Sequence, residues 1–189
     1  MIPATLKPSD GCWPACLRTR LGASAPAALH AIGPVAILAA RKTALFCSAR
    51  TPGDAILRAL DAARRMRDEG ATVISGFHSP IERECLRILL RGKQPIIVCP
   101  ARTIDTMRIP GECRVAFEAG RLLFLSPFIR QPRRVTKDSA VRRNEVVAAL
   151  ADEVFIASVT PGGGTERMTG ILKRWGLSPH VDYQCWKAE

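Results

Sequence analysis

RNEVVAALADEVFIASVTPGGGTERM, residues 143–168, reads as the end of a helix, a buried strand, a glycine-rich turn and the start of a new helix. Val154-Phe155-Ile156-Ala157 is a short unbroken apolar run, the mark of a strand covered on both faces in a parallel sheet. Pro161-Gly162-Gly163-Gly164 follows it. With no Cβ at the glycines, backbone N–H groups can approach a ligand closely and take positive φ without strain. A helix starting near Thr165 aims its unpaired N-terminal donors and positive dipole end into the same space. This arrangement suits an anion held by Gly162, Gly163, Gly164 and Thr165, with a ligand-free surface turn as the alternative.

Working outward, apolar runs at 43–47, 71–74, 95–99 and 121–125 alternate with helical patterns. The helix after Asp54 carries an inward stripe of Ile56, Leu57, Leu60, Ala63 and Met66 and stops at Gly70. Ser79-Pro80-Ile81-Glu82 meets three helix-start rules together: Ser at the cap, Pro at the first position, Glu at the third. Further helices are expected over 112–118, 139–150 and 166–175. Strands alternating with helices build an α/β, Rossmann-like parallel sheet flanked by helices on both faces. Residues 17–189 are expected to form this single domain, after a loose N-terminal segment, 1–16, that lacks the pattern of a secretory leader. Between them, 23–40 is uncharged, but Pro26, His30, Gly33 and Pro34 break it. A short helix over 26–32 and a turn are expected there, with no membrane span.

The 28 Lys+Arg against 17 Asp+Glu give a net charge of +11, which favours a polyanionic partner. The connection 126–137 holds Arg130, Arg133, Arg134 and Lys137 and no acid. Such a run is a solvated loop or an arm that grips a nucleic-acid backbone. Seven cysteines are present with no CxxC pair. Cys47, Cys85 and Cys99 sit where small core residues belong, as in a reducing cytosol. Cys12 and Cys16 could be half a zinc site, but His30, His78 and His180 are scattered, so no metal is expected.

In an open α/β sheet, ligands sit beyond the carboxyl ends of the strands. The loops there carry Ser48 and Arg50, then Gly76, His78 and Ser79, then Gly162 to Thr165. Small residues, hydroxyls, one Arg and helix N-termini make a site for phosphate and sugar. Arg50 suits bidentate phosphate contact, and His78 reads as a hydrogen-bonding loop residue ahead of an acid or base. No GxGxxG follows the first of these strands and no Walker lysine follows the glycines, so no dinucleotide cofactor or ATP chemistry is expected.

These segments resemble the DprA/Smf DNA-processing family, within the wider Rossmann-like SLOG group that includes LOG-type nucleotide phosphoribohydrolases. Phe46-Cys47-Ser48-Ala49-Arg50 is similar to the family's Gly-Ser-Arg loop and to the LOG form Phe-Gly-Ser-Ala-Arg. Ser75-Gly76 with 78–82 sits where the family has Ser-Gly-Gly-Ala-x-Gly-Ile-Asp, and Arg143-Asn144-Glu145 where it has Arg-Asn-Arg. Cys47, Glu82 and Glu145 depart from the family's Gly, Asp and Arg. Residues 161–166 are a LOG-like PGGxGTxxE motif compressed by one residue, with Glu166 directly after Thr165. The resemblance implies a non-enzymatic protein of the cytoplasm that binds single-stranded DNA or a nucleotide, with Arg143 and Asn144 joining the basic connection on the DNA. It also implies a RecA-type recombinase as a partner and a homodimer. Its alternatives are a nucleoside 5′-monophosphate phosphoribohydrolase using Arg50 and Glu166, or a nucleotide-sensing module.

Overall fold

The computed structural model describes residues 3–48, 51–159 and 162–180. Its strands are β1 (Ala4–Leu6), β2 (Leu29–Ile32), β3 (Lys42–Phe46), β4 (Thr72–Ser75), β5 (Ile96–Val98), β6 (Leu122–Ser126) and β7 (Glu153–Ile156). They form one sheet in the order β1-β2-β6-β5-β4-β3-β7. From β6 to β7 every pairing is parallel, so these five strands, all expected from the sequence, end on a common carboxyl rim.

Helices cover both faces. On one lie α1 (Cys16–Leu21), α5 (Lys137–Leu150) and α6 (Gly164–Arg174); on the other lie α2 (Gly53–Asp68), α3 (Pro80–Leu90) and α4 (Arg114–Glu118). Successive strand residues point to opposite faces. Ala44 and Phe46 of β3 therefore pack in the α5 layer, and Leu45 and Cys47 in the α2 layer. Because both faces are covered, every residue of β3 to β6 is buried, and the strands read as largely apolar runs.

The antiparallel edge was not expected. Residues 29–32 form β2 where a short helix was read, and β1 comes from the segment read as loose. The sheet overrides local propensity here, because without β2 the outer backbone groups of β6 would lie unpaired at an edge. At the opposite edge, the Ile156 N–H donates to the His180 carbonyl at 3.0 Å and the His180 N–H to the Val154 carbonyl at 2.8 Å, so chain beyond α6 begins to cover β7.

The path from β6 to β7 decides where function can sit. The chain leaves one end of the parallel set and re-enters at the other, next to β3, so residues 127–136 carry it around the carboxyl rim and α5 carries it back across the sheet. A capping box starts α5: Ser139 N–H donates to Thr136 Oγ1 at 3.1 Å and Thr136 N–H to Ser139 Oγ at 2.9 Å. Arg20 of α1 donates to the Ala149 carbonyl at 3.0 Å at its other end.

Gly33 turns the chain out of β2 at φ +118°, and a Cβ there would strike the backbone carbonyl of Leu122. Gly33→Ala combines a glycine-only backbone with overpacking against a strand, so its unfolding free energy in urea is expected to fall by about 3 kcal/mol.

Candidate nucleic-acid interface

The carboxyl rim has two halves of different character. Above β3 and β4, the expected anion cradle is filled from within the chain. Ser79, Pro80 and Glu82 form the expected capping box of α3. The Glu82 side chain, only 7% exposed, reaches further than its own helix. Its Oε2 accepts the N–H groups of His78 at 2.8 Å and Ser79 at 3.1 Å, and its Oε1 accepts the N–H of Cys47 in the loop after β3 at 3.1 Å. Three of the backbone donors that these loops could offer a phosphate are thus already given to a carboxylate.

Arg143 is the cation that faces this acid across the rim. Read as a DNA-contacting residue, it is instead 3% exposed. Its Nη1 donates to the Cys99 carbonyl at 2.8 Å and its Nε to Asn144 Oδ1 at 2.7 Å, so the Arg143 guanidinium is spent on the loop after β5 and on its neighbour in α5. Burial pulls the guanidinium below its ordinary pKa, and the charge of Glu82 pulls it back up. An arginine in this setting remains protonated. Gly76 is what lets it in, since a Cβ there would occupy the position of the guanidinium. The next residue, Phe77, takes a left-handed φ of +46° and buries its ring in the α2 layer. That strain, about 1 kcal/mol for a non-glycine residue, is offset by the burial.

The expected residues of the glycine turn lie elsewhere on the rim. Gly162, at φ +68°, donates its N–H to Glu166 Oε2 at 2.8 Å, so this turn too is occupied by its own helix's carboxylate. Gly162 and Gly163 line a groove on the α5 and α6 face with Glu145, Arg167, Ile171 and Arg174, and no described residue of the β3 or β4 loops lines it. Gly164 and Thr165 open α6, with Thr165 buried. Ser48 accepts Thr51 Oγ1 on its carbonyl at 2.6 Å, and His78 is exposed. Arg50, with Ala49, Thr160 and Pro161, falls outside the described residues.

The second half, above β5 and β6, is open and basic. Arg102 follows β5; Arg130, Arg133, Arg134 and Lys137 follow β6. The two loops are tied together: Ser126 Oγ donates to the Arg102 carbonyl at 2.7 Å, and the Thr103 N–H to the Pro132 carbonyl at 2.9 Å. Between them lies a cavity of about 500 Å3 lined by Arg102, Thr103, Asp105, Thr106, Arg130, Gln131 and Arg133. None of Arg102, Arg130, Arg133, Arg134 and Lys137 forms an ion pair with another described residue. Arg102 and Asp105 were not picked out from the sequence, although both follow a strand on the same rim as the residues that were. Among the described residues, no three His, Cys, Asp or Glu side chains group closely enough to hold a metal ion.

Glu82→Gln places an amide where three backbone donors converge, and is expected to lower stability by about 2–3 kcal/mol, read as a shifted urea midpoint with unchanged slope. Gly76→Ala, which displaces a buried guanidinium, should cost at least as much.

With this geometry in place, comparison with known proteins is informative. The family model for DNA recombination-mediator protein A matches residues 4–169. The fold is similar to that of DNA processing protein A from Helicobacter pylori, a structure described by its single-stranded DNA binding mode, with a TM-score of 0.71 at 20% identity over 94% of this chain and 80% of that one. It is also similar to DNA processing protein A from Streptococcus pneumoniae, with a TM-score of 0.76 at 18% identity over 99% of this chain and 74% of that one. No curated protein sequence matches the chain. The family model takes in the whole parallel sheet and both halves of the rim, and on that match the chain belongs to the DNA recombination-mediator protein A family.

Proposed function

We propose that the protein binds single-stranded DNA along the open half of the rim and performs no chemistry on it. The observation that carries this is the group of five basic side chains, Arg102, Arg130, Arg133, Arg134 and Lys137, with no ion-pair partner among the described residues and three of them lining one cavity. Unpaired guanidinium groups on exposed loops release counterions when they meet phosphates, which drives backbone binding. Aromatic residues make up only 5% of the chain, so backbone contact outweighs base stacking. Family membership and the DNA-binding mode described for the Helicobacter pylori protein support the same conclusion.

Two observations weigh against a nucleotide as the ligand. The N–H groups of Cys47, His78 and Ser79 donate to Glu82, and Glu166, the acid a phosphoribohydrolase would use, accepts the Gly162 N–H. The family's description as a recombination mediator supports extending the proposal to a cytoplasmic protein that passes its strand to a RecA-type recombinase. A homodimer would lengthen the basic track.

A labelled oligonucleotide titrated at rising salt tests the proposal. The logarithm of the affinity should fall against the logarithm of salt with a slope of roughly −3.5, about −0.7 for each of five phosphates contacted. Arg130→Ala with Arg133→Ala should flatten that slope by about 1.4 while leaving the thermal midpoint in place, because both side chains are exposed. Absence of binding at low salt, or binding indifferent to salt, would refute it.

A further inference from the structure

We propose that Asp105 reads the bases of the bound strand and selects those with an exocyclic amine, cytosine, adenine and guanine, over thymine. The inference rests on the DNA-binding proposal above and adds a specificity to the same cavity.

Asp105 is the one acid among the residues lining a cavity that also presents Arg102, Arg130 and Arg133. A carboxylate there repels phosphate, so it works against backbone binding unless it has a use. The obvious bland use would be to neutralise one of the three arginines. It does not do so, since its one ion-pairing contact among the described residues is with His30.

That contact fixes its orientation. His30 lies in β2 and is 8% exposed, and its Nδ1 stands 2.7 Å from Asp105 Oδ1. An ionised carboxylate has no proton to give, so the imidazole Nδ1–H is the donor. A ring held in the sheet thus holds one oxygen of the carboxylate. The other oxygen, Oδ2, makes no hydrogen bond to a described residue, and the side chain is 41% exposed beside the cavity. The result is a locked acceptor within reach of a strand whose phosphates lie on the flanking arginines.

An acceptor of this kind separates bases by their donors. Cytosine N4, adenine N6 and guanine N1 and N2 each present N–H groups on an accessible edge. Thymine's single ring donor, N3–H, lies between two carbonyls that repel the carboxylate. Thr106 and Gln131, which complete the lining, can donate or accept and so favour no base.

The test compares oligo-dC with oligo-dT, two pyrimidine strands of equal charge and length, at pH 8, where cytosine N3 is unprotonated. The wild-type chain should bind oligo-dC about tenfold more tightly or better, the effect of one hydrogen bond to a charged group. Asp105→Asn keeps an oxygen for His30 and turns an amide donor toward the strand, so the preference should vanish or reverse toward oligo-dT, whose O4 accepts. The salt slope should stay as it was. A role confined to holding β2 against the loop would lower the thermal midpoint and leave the dC to dT ratio alone. Equal wild-type affinities, or a ratio unmoved in Asp105→Asn, overturn the base-reading proposal and leave DNA binding standing. Failure of both strands to bind at low salt overturns the two together.

Discussion

The arrangement of this rim depends on one buried carboxylate. Glu82 accepts three backbone N–H groups from two loops, after β3 and β4, and Arg143 faces it from α5 with its guanidinium on the loop after β5. Loops at the carboxyl end of a parallel sheet carry N–H groups that the ladder does not satisfy, and buried donors left unpaired are costly. Folds of this kind meet that demand with a ligand or with water. Here a side chain meets it, so the loops are held in place before any partner arrives.

The division of the rim follows from that. At Glu82, and again at Glu166 under Gly162, the chain supplies its own anion to loop N–H groups that a phosphate would otherwise meet. Above β5 and β6 the one acid in the cavity lining, Asp105, is held by His30, and the basic side chains have no ion-pair partner among the described residues. Topology explains why they gather there. The chain must travel from β6 to the far side of β3, and its exposed passage around the sheet end can be basic without burying a charge. The same passage, tied to the β5 loop through Ser126 and Thr103, forms a wall of the cavity.

Much of this was legible in the sequence, and the limits have physical causes. The five parallel strands announced themselves because burial on both faces selects mostly apolar residues, with few polar ones such as Thr43, Thr72 and Ser75 among them. The start of α3 did so because capping is a local interaction within four residues. Residues 29–32 could not be read as β2, since what makes them a strand is an exposed edge of β6 more than ninety positions away. Arg143 was assigned to the surface for a similar reason. An arginine in a basic stretch looks solvated until Gly76, from another loop, is seen to leave a space for it. Glu82 was read correctly as a cap, but nothing local indicates that the same carboxylate crosses to Cys47.

Charge shows the same separation between what composition fixes and what the fold decides. A net +11 points to a polyanion but not to a place on the molecule. Much of the basic surface is neutralised locally: Arg41 pairs with Glu153, Arg58 with Asp54, Arg64 with Asp61, Arg67 with Asp68 and Arg87 with Glu84. Three of these pairs lie within α2, on the face away from the sheet. Exposed pairs of this sort add little stability, but they cancel the field where they stand. Acids are missing from 126–137, whose basic side chains form no ion pair with another described residue, and the parallel sheet sets that segment beside Arg102. That segment is tied to the loop after β5 through Ser126 and Thr103, so its basic side chains extend from backbone that is already held in place.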